Sequence, residues 1–206
     1  SNPVSCFGGS DGSVSAFPSG GFGPYQYSWS TGCAAVSCSG LPAGSYMVTI
    51  TDVIGCTASN AVTITEPTLL SLSGSPTANV PCAGSCTAAG SVSPSGGTSP
   101  YTYSWSTNPP QASINASGLC AGAYSCIVTD ANGCTASHSM TVTEPTPVVA
   151  APVVASVPCA GGSTNLTASA TGGTGGFTYA WSPPTGLSAV NVANPVAGPS
   201  DTTVYT

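Results

Sequence analysis

Apolar and polar positions along this chain alternate with a period of two. Tyr46, Val48 and Ile50 alternate with Met47, Thr49 and Thr51, and Val62 and Ile64 with Thr63 and Thr65. Tyr25, Tyr27 and Trp29 alternate with Gln26, Ser28 and Ser30. Side chains of an extended chain point to opposite faces in turn, so this pattern predicts half-buried antiparallel strands. The 26 glycines and 19 prolines punctuate the chain at short spacing and leave no room for a helix of useful length. About seven short strands per segment of roughly 75 residues predict an all-β fold of tandem sandwiches.

The pattern is written more than once. Cys6, Gly12 to Ser15, Ser19-Gly20-Gly21 and Pro24 to Ser30 return as Cys82, Gly90 to Ser93, Ser95-Gly96-Gly97 and Pro100 to Ser106. Further on, Gly40 to Tyr46 matches Gly118 to Tyr124, and Asp52 to Ser59 matches Asp130 to Ser137. Thr65-Glu66-Pro67 matches Thr143-Glu144-Pro145. A third, more distant copy begins at Val157-Pro158-Cys159 and runs through Phe177 to Trp181 to Thr203-Val204-Tyr205-Thr206. Expected domains are therefore repeat one at 1–67 with a short front, repeat two at 68–145 and repeat three at 146–206. Repeat three is expected to stop inside a strand, as in a window on a longer array. The missing final strand would come from a continuing chain or be lent by a neighbour.

Composition then removes whole classes of function. Lys and Arg are absent, and Asp and Glu number six in 206 residues. Phosphate counterions cannot be displaced without cations, which excludes nucleic-acid binding and disfavours anionic membranes and phosphate cofactors. The apolar stretch from Pro147 to Val157 is short and interrupted by proline, so no membrane span is expected. The sequence opens without an initiator Met or a basic leader, so it is expected to start inside something longer or after processing. Ten cysteines predict disulfides in an oxidising, extracellular setting. Cys33-x4-Cys38 and Cys82-x3-Cys86 imitate zinc ligand pairs, but zinc sites usually include histidine, and His138 is the sole histidine.

Several motifs carry a family resemblance. Cys-x-Gly-Gly-x-Asp-Gly-Ser at Cys6 to Ser13, the Pro-Tyr-x-Tyr-Ser-Trp-Ser strand, Gly-Leu-x-Ala-Gly-x-Tyr, Thr-Asp-x-x-Gly-Cys and Thr-x-Thr-Glu-Pro resemble the SprB-type repeat of very large surface adhesins of gliding Bacteroidetes. Trp181 to Ser188, Ala193 to Pro195 and Ser200 to Tyr205 are more similar to the PKD-like immunoglobulin-type domains that accompany such repeats. The resemblance implies immunoglobulin-like sandwiches, export by the type IX route, and a role in surface adhesion or filaments. It implies no ligand.

Each chemically notable residue has an ordinary structural reading. Trp29, Trp105 and Trp181 end aromatic stripes that could stack on sugars, but the expected place for each is the sandwich core. Asp52 and Asp130 precede x-x-Gly-Cys. Calcium would need more oxygen ligands than these repeats offer, so a turn is expected, with the carboxylate accepting backbone N–H groups and Gly55 or Gly133 at positive φ. Asp11 before Gly12 reads the same way. Glu66-Pro67 and Glu144-Pro145 are expected to end strands and stiffen hinges. His138 has no nucleophile partner, and no paired carboxylates are legible. Asn115-Ala116-Ser117 and Asn165-Leu166-Thr167 fit the N-glycosylation acceptor, and Thr202 within Asp201-Thr202-Thr203 resembles the acceptor of Bacteroidetes O-glycosylation.

Repeat positions also predict the staples. Cys6 and Cys56 match Cys82 and Cys134, which predicts Cys6–Cys56 and Cys82–Cys134. Cys33–Cys38 is the expected local pair. Cys86 with Cys120 is expected at one end of a sandwich, with Cys126 as a rival and Cys159 unassigned. No cofactor is expected. The functional expectation is a non-catalytic, disulfide-stapled, glycosylated shaft of an extracellular filament or adhesin, its partners neighbouring copies or surface glycans. A carbohydrate-binding module and a spacer in a secreted hydrolase are the alternatives. A surface without lysine lacks a usual defence against edge-to-edge association, which points toward sugar cover or lateral contacts.

Overall fold

The computed structural model describes residues 1–153 and 162–206. Cys159, and with it the Val157-Pro158-Cys159 start of the third copy, lies outside the described residues. Strands alone make up the regular structure among them, and they pair into small antiparallel sheets: the fold is all-β. Residues 1–67 form β1 (Gly12–Ser15), β2 (Gln26–Trp29), β3 (Ser37–Leu41), β4 (Gly44–Thr51) and β5 (Thr57–Ile64). Residues 68–145 form β6 (Ser71–Ala78), β7 (Ala88–Ser95), β8 (Thr102–Trp105), β9 (Asn115–Leu119), β10 (Gly122–Thr129) and β11 (Thr135–Val142). Beyond them lie β12 (Val149–Val153), β13 (Thr164–Asn165), β14 (Thr167–Thr171) and β15 (Val196–Ala197). Five and six strands in the first two repeats replace the expected seven. The Gly- and Pro-bearing segments 16–25 and 30–36 run as loops and turns, because neither residue sustains a ladder.

Repeat one pairs β1 with β3 and orders a second sheet β2-β4-β5. Its ladders are antiparallel, with Trp29 opposite Val48 and Tyr46 opposite Val62. Inward positions of the two sheets supply one core of Val4, Val14, Ala16, Trp29, Cys38, Tyr46, Val48 and Ile64. The alternation read from sequence is the cause: Tyr46 and Val48 are buried while Met47 between them is exposed. The short front strand expected before Cys6 is reduced to a bridge between Asn2 and Ser13, with Val4 N–H donating to the Thr65 carbonyl. Repeat two orders its sheets β6-β7-β9 and β8-β10-β11. Again tryptophan faces the central strand, with Trp105 opposite Cys126.

Two compact units can be drawn in the chain. One comprises Ser1–Thr77, Ala89–Ser117 and Ala123–Thr141; the other comprises Ala78–Ala88, Gly118–Gly122 and Val142–Thr206. In the second unit β12 pairs with β14 and β13 with β15, with Leu166, Pro195 and Ala197 buried. Thr203 to Thr206 forms no strand, but Thr206 and Ser182 exchange both backbone hydrogen bonds.

Candidate functional site

The recurring feature with definite chemistry is the turn that closes β4 onto β5 and, in repeat two, β10 onto β11. Asp52 is almost wholly buried, and its Oδ1 accepts the N–H groups of Ile54 (3.1 Å) and Cys56 (2.8 Å). Oδ2 accepts the N–H of Phe22 at 3.3 Å, which ties the Gly20-Gly21 loop to the turn. Asp130 repeats the scheme with Asn132 (2.9 Å), Cys134 (2.9 Å) and Thr98 (2.9 Å). Gly55 and Gly133 take φ of 92° and 86°, the left-handed region that the tight turn needs. Gly97 has a second constraint, since a Cβ there would stand 2.8 Å from the Asp130 carboxylate.

Burial raises the cost of ionising Asp52 and Asp130. The backbone donors of Cys56, Phe22, Ile54 and Gly55, and of Thr98, Cys134, Asn132 and Gly133, together outweigh it and hold both carboxyls below the ordinary aspartate value. These are the turn carboxylates expected from the sequence. Asp11 differs from that reading, because its donors lie six residues back: the hydroxyl and then the N–H of Ser5 lower its pKa.

Opposite in role is the front loop of each repeat. In repeat one it is Cys6-Phe7-Gly8-Gly9, closed by Gly9 N–H donating to the Cys6 carbonyl at 2.9 Å. Glu66, beyond the last strand, reaches back and accepts the N–H of Gly8 at 2.7 Å. Glu144 does the same for Gly84 at 2.6 Å. The sequence reading gave these glutamates only a strand-ending position beside proline. Their recurrence with Gly8 and Gly84 at matched repeat positions was the available signal.

Front loop and turn meet across repeats. Cys6 is bonded to Cys134, and the Asn132 amide donates to the Ser5 carbonyl at 2.9 Å. This corrects the expected pairings Cys6–Cys56 and Cys82–Cys134: the staple runs between repeats, and Cys56 and Cys82 are exposed free thiols. Matched positions mark equivalent places, and they do not say whether equivalent places meet within one repeat or between successive ones. Cys33 is joined to Cys38, and Cys86 to Cys120. Cys126 is a buried free thiol at the position where repeat one has Val48, and burial raises its pKa. Among the described residues no three His, Cys, Asp or Glu side chains gather as a metal site.

Trp29 and Trp105 are buried, each indole donating to a backbone carbonyl, of Ala35 (2.9 Å) and Ser113 (2.8 Å). Trp181 is only half-buried and donates to Val192 at 2.8 Å. His138 is half-buried on β11, and Asn115, Asn165 and Thr202 are exposed. No helix among the described residues is long and apolar enough to cross a membrane.

The family model of the SprB repeat matches residues 1–33 and 74–110, the front parts of repeats one and two. Those two stretches of the chain are similar to the SprB repeat. No curated protein matches the sequence. Among solved structures, the N-terminal eight immunoglobulin domains of Down syndrome cell adhesion molecule are similar at 16% identity and a TM-score of 0.34. That match covers 96% of this chain and 30% of the other, so the chain spans under a third of that structure's length. A tetra-tandem repeat from the extending region of a large adhesion protein is similar at 15% identity and a TM-score of 0.27, covering 84% of this chain and 54% of the other. A complex of Dpr2 and DIP-Theta immunoglobulin domains is similar at 12% identity and a TM-score of 0.27, covering 86% and 80%.

Proposed function

We propose that these SprB-type repeats form a non-catalytic shaft of an extracellular adhesin or filament, exposed at the cell surface. The observation that carries the reading is the joint between repeats, where the front loop of repeat one is bonded through Cys6 to the turn of repeat two at Cys134. A covalent link between two turns, each held by its own carboxylate or glutamate, fixes successive repeats instead of leaving them on a free linker. The rest of the chemistry is consistent with a passive element. The carboxylates of Asp52 and Asp130 are saturated by backbone donors. Trp29 and Trp105 fill cores and leave no face for a sugar ring. Glycans on exposed Thr202, Asn115 or Asn165 would cover a surface without cations, and the type IX route is the export path that the resemblance implies.

The test is the shape and stiffness of the native material. Electron microscopy of the full-length protein is expected to show thin fibres or rods with a period of a few domains. Isolated globular particles, or repeats that bend freely about every junction, would overturn the reading. Mass spectrometry of the native protein is expected to find glycan on the peptide carrying Thr202.

A further inference from the structure

The joint seen between repeats one and two leaves one of each kind of surface unused. Repeat two presents its turn to the front loop of repeat one through Asn132 and Cys134, whose N–H groups, with that of Thr98, are held by Asp130. Repeat one has the same turn, hung on Asp52, with Phe22, Ile54 and Cys56 in the equivalent places. Nothing among the described residues covers it. Phe22 is 65% exposed, Ile54 65% and Val53 60%, and the Cys56 thiol is free. An open cleft of about 350 Å³, lined by Gly21, Tyr25 and Asp52 among others, lies directly beside Cys56. Repeat two, in turn, has a front loop equivalent to the one that carries Cys6. It holds Pro81, Cys82 and Ala83, with Cys82 exposed and unpaired.

We infer that the Asp52 turn of one copy takes the Cys82 front loop of a second copy, in the same geometry by which Asp130's turn takes the Cys6 loop, and that Cys56 and Cys82 then form an intermolecular disulfide. The residues differ between the two joints in a matched way. Where the internal joint has the Asn132 amide donating to the Ser5 carbonyl, with the Thr98 hydroxyl beside it, the equivalent turn positions of repeat one hold Ile54 and Phe22, and the equivalent loop position of repeat two holds Pro81. An apolar turn thus faces an apolar loop, and exposed apolar surface of this kind marks an interaction site. Because turn and loop are different surfaces, the contact is heterologous and propagates head to tail. This inference rests on the shaft reading and names the partner that would extend it.

The bond needs an oxidant, here a low-molecular-weight disulfide. The Cys82 thiolate attacks glutathione disulfide and releases one glutathione thiolate. The Cys56 thiolate then attacks the Cys82 sulfur and releases the second. Two protein thiols are oxidised, and one glutathione disulfide is reduced to two thiols.

The experiment mixes unlabelled and 15N-labelled full chain, carrying its three internal disulfides, with glutathione disulfide. Pepsin is used for digestion, because a chain without Lys or Arg gives trypsin nothing to cut. The expected result is a ladder of dimers and higher species on non-reducing gels and a Cys56–Cys82 peptide carrying mixed labels. C56S and C82S are each expected to abolish that peptide. F22T/I54N, which installs the residues of repeat two at exposed positions, is expected to slow the ladder about tenfold with unfolding temperature unchanged. Cys56 and Cys82 remaining alkylatable, linked peptides with unmixed labels, or cross-linking as fast in F22T/I54N would overturn the inference. Imaging the C56S/C82S monomer with its internal disulfides intact tests the shaft reading separately: a stiff rod supports it, and free bending at the junction overturns it.

Discussion

The sulfur of Cys6 is bonded to the sulfur of Cys134, and 128 residues separate the two. A cross-link over so long a loop restricts the unfolded chain strongly, by about 5 kcal/mol in the chain-entropy account. The Cys33–Cys38 bond spans only five positions, and the same account gives it about 2 kcal/mol. C6S is therefore expected to lower the urea-unfolding free energy by about 2–5 kcal/mol, the measured range for native disulfides, and clearly more than C33S/C38S. Equal losses would show that the long bond leaves the unfolded ensemble unrestrained. Peptide mapping that found Cys6 joined to Cys56 would remove the premise.

Burial separates the three tryptophans. Trp29 and Trp105 are 3% and 2% exposed, and each indole also satisfies a carbonyl. Truncation of a core tryptophan leaves a cavity and costs about 3–5 kcal/mol. W29A and W105A are expected to fall in that range by denaturant unfolding, while W181A, half-exposed, is expected to cost markedly less. Comparable losses for all three would mean that the third copy has a core as closed as the first two.

The tryptophan places were legible because period-two alternation fixes which face of a strand turns inward, and a large aromatic on that face has one stable location. The Asp-x-x-Gly-Cys turn was legible for a similar local reason, since the carboxylate, the two donors that close the turn and the left-handed glycine lie within five residues, whereas the third donor, Phe22 or Thr98, comes from a distant loop. What escaped the sequence is non-local. Cys6 could meet Cys56 or Cys134 with equal respect for the repeat, and only the docking of one repeat against the next decides between them. Likewise Glu66 finds Gly8 across 58 residues, a pairing that no spacing rule marks. Cys126 belongs to a third kind. Its alignment with Val48 was visible, yet its sulfur drew attention to pairing when its position called only for a small apolar side chain.

Cys126 therefore supplies its own test. It is fully buried opposite Trp105, where repeat one places Val48 opposite Trp29. Substitution C126V preserves shape and is expected to change stability by less than about 1.5 kcal/mol. Native-state alkylation followed by peptic mapping is expected to label Cys56 and Cys82 quickly and Cys126 only on unfolding, because its thiol is enclosed and burial raises its pKa. Rapid labelling of Cys126 in the folded protein would show that the core of repeat two opens readily.

The response to pH and salt follows from the carboxylates. Asp52 and Asp130 are desolvated, yet their backbone donors lower both pKa values, and Ser5 lowers that of Asp11. A folded pKa below the unfolded one, about 3.9 for aspartate, means that these groups contribute stability in full above that value. The contribution is lost as pH falls through the folded pKa, so the decline is confined to strongly acidic solution. No lysine or arginine exists to form side-chain ion pairs. The unfolding temperature is accordingly expected to stay level from pH 8 to about pH 5 and to fall below about pH 4. It is expected to be insensitive to salt at pH 7, since screening acts on charge pairs that are absent. Carboxyl carbon shifts followed by NMR are expected to show Asp52 and Asp130 titrating below the ordinary aspartate range. D130A leaves the N–H groups of Thr98, Asn132 and Cys134 without their acceptor and is expected to lower the unfolding temperature at pH 7. At pH values where Asp130 is protonated in the folded protein, the gap between variant and parent is expected to narrow. A gap that stayed constant down to the acid transition would show that the carboxylate's charge does not hold the turn.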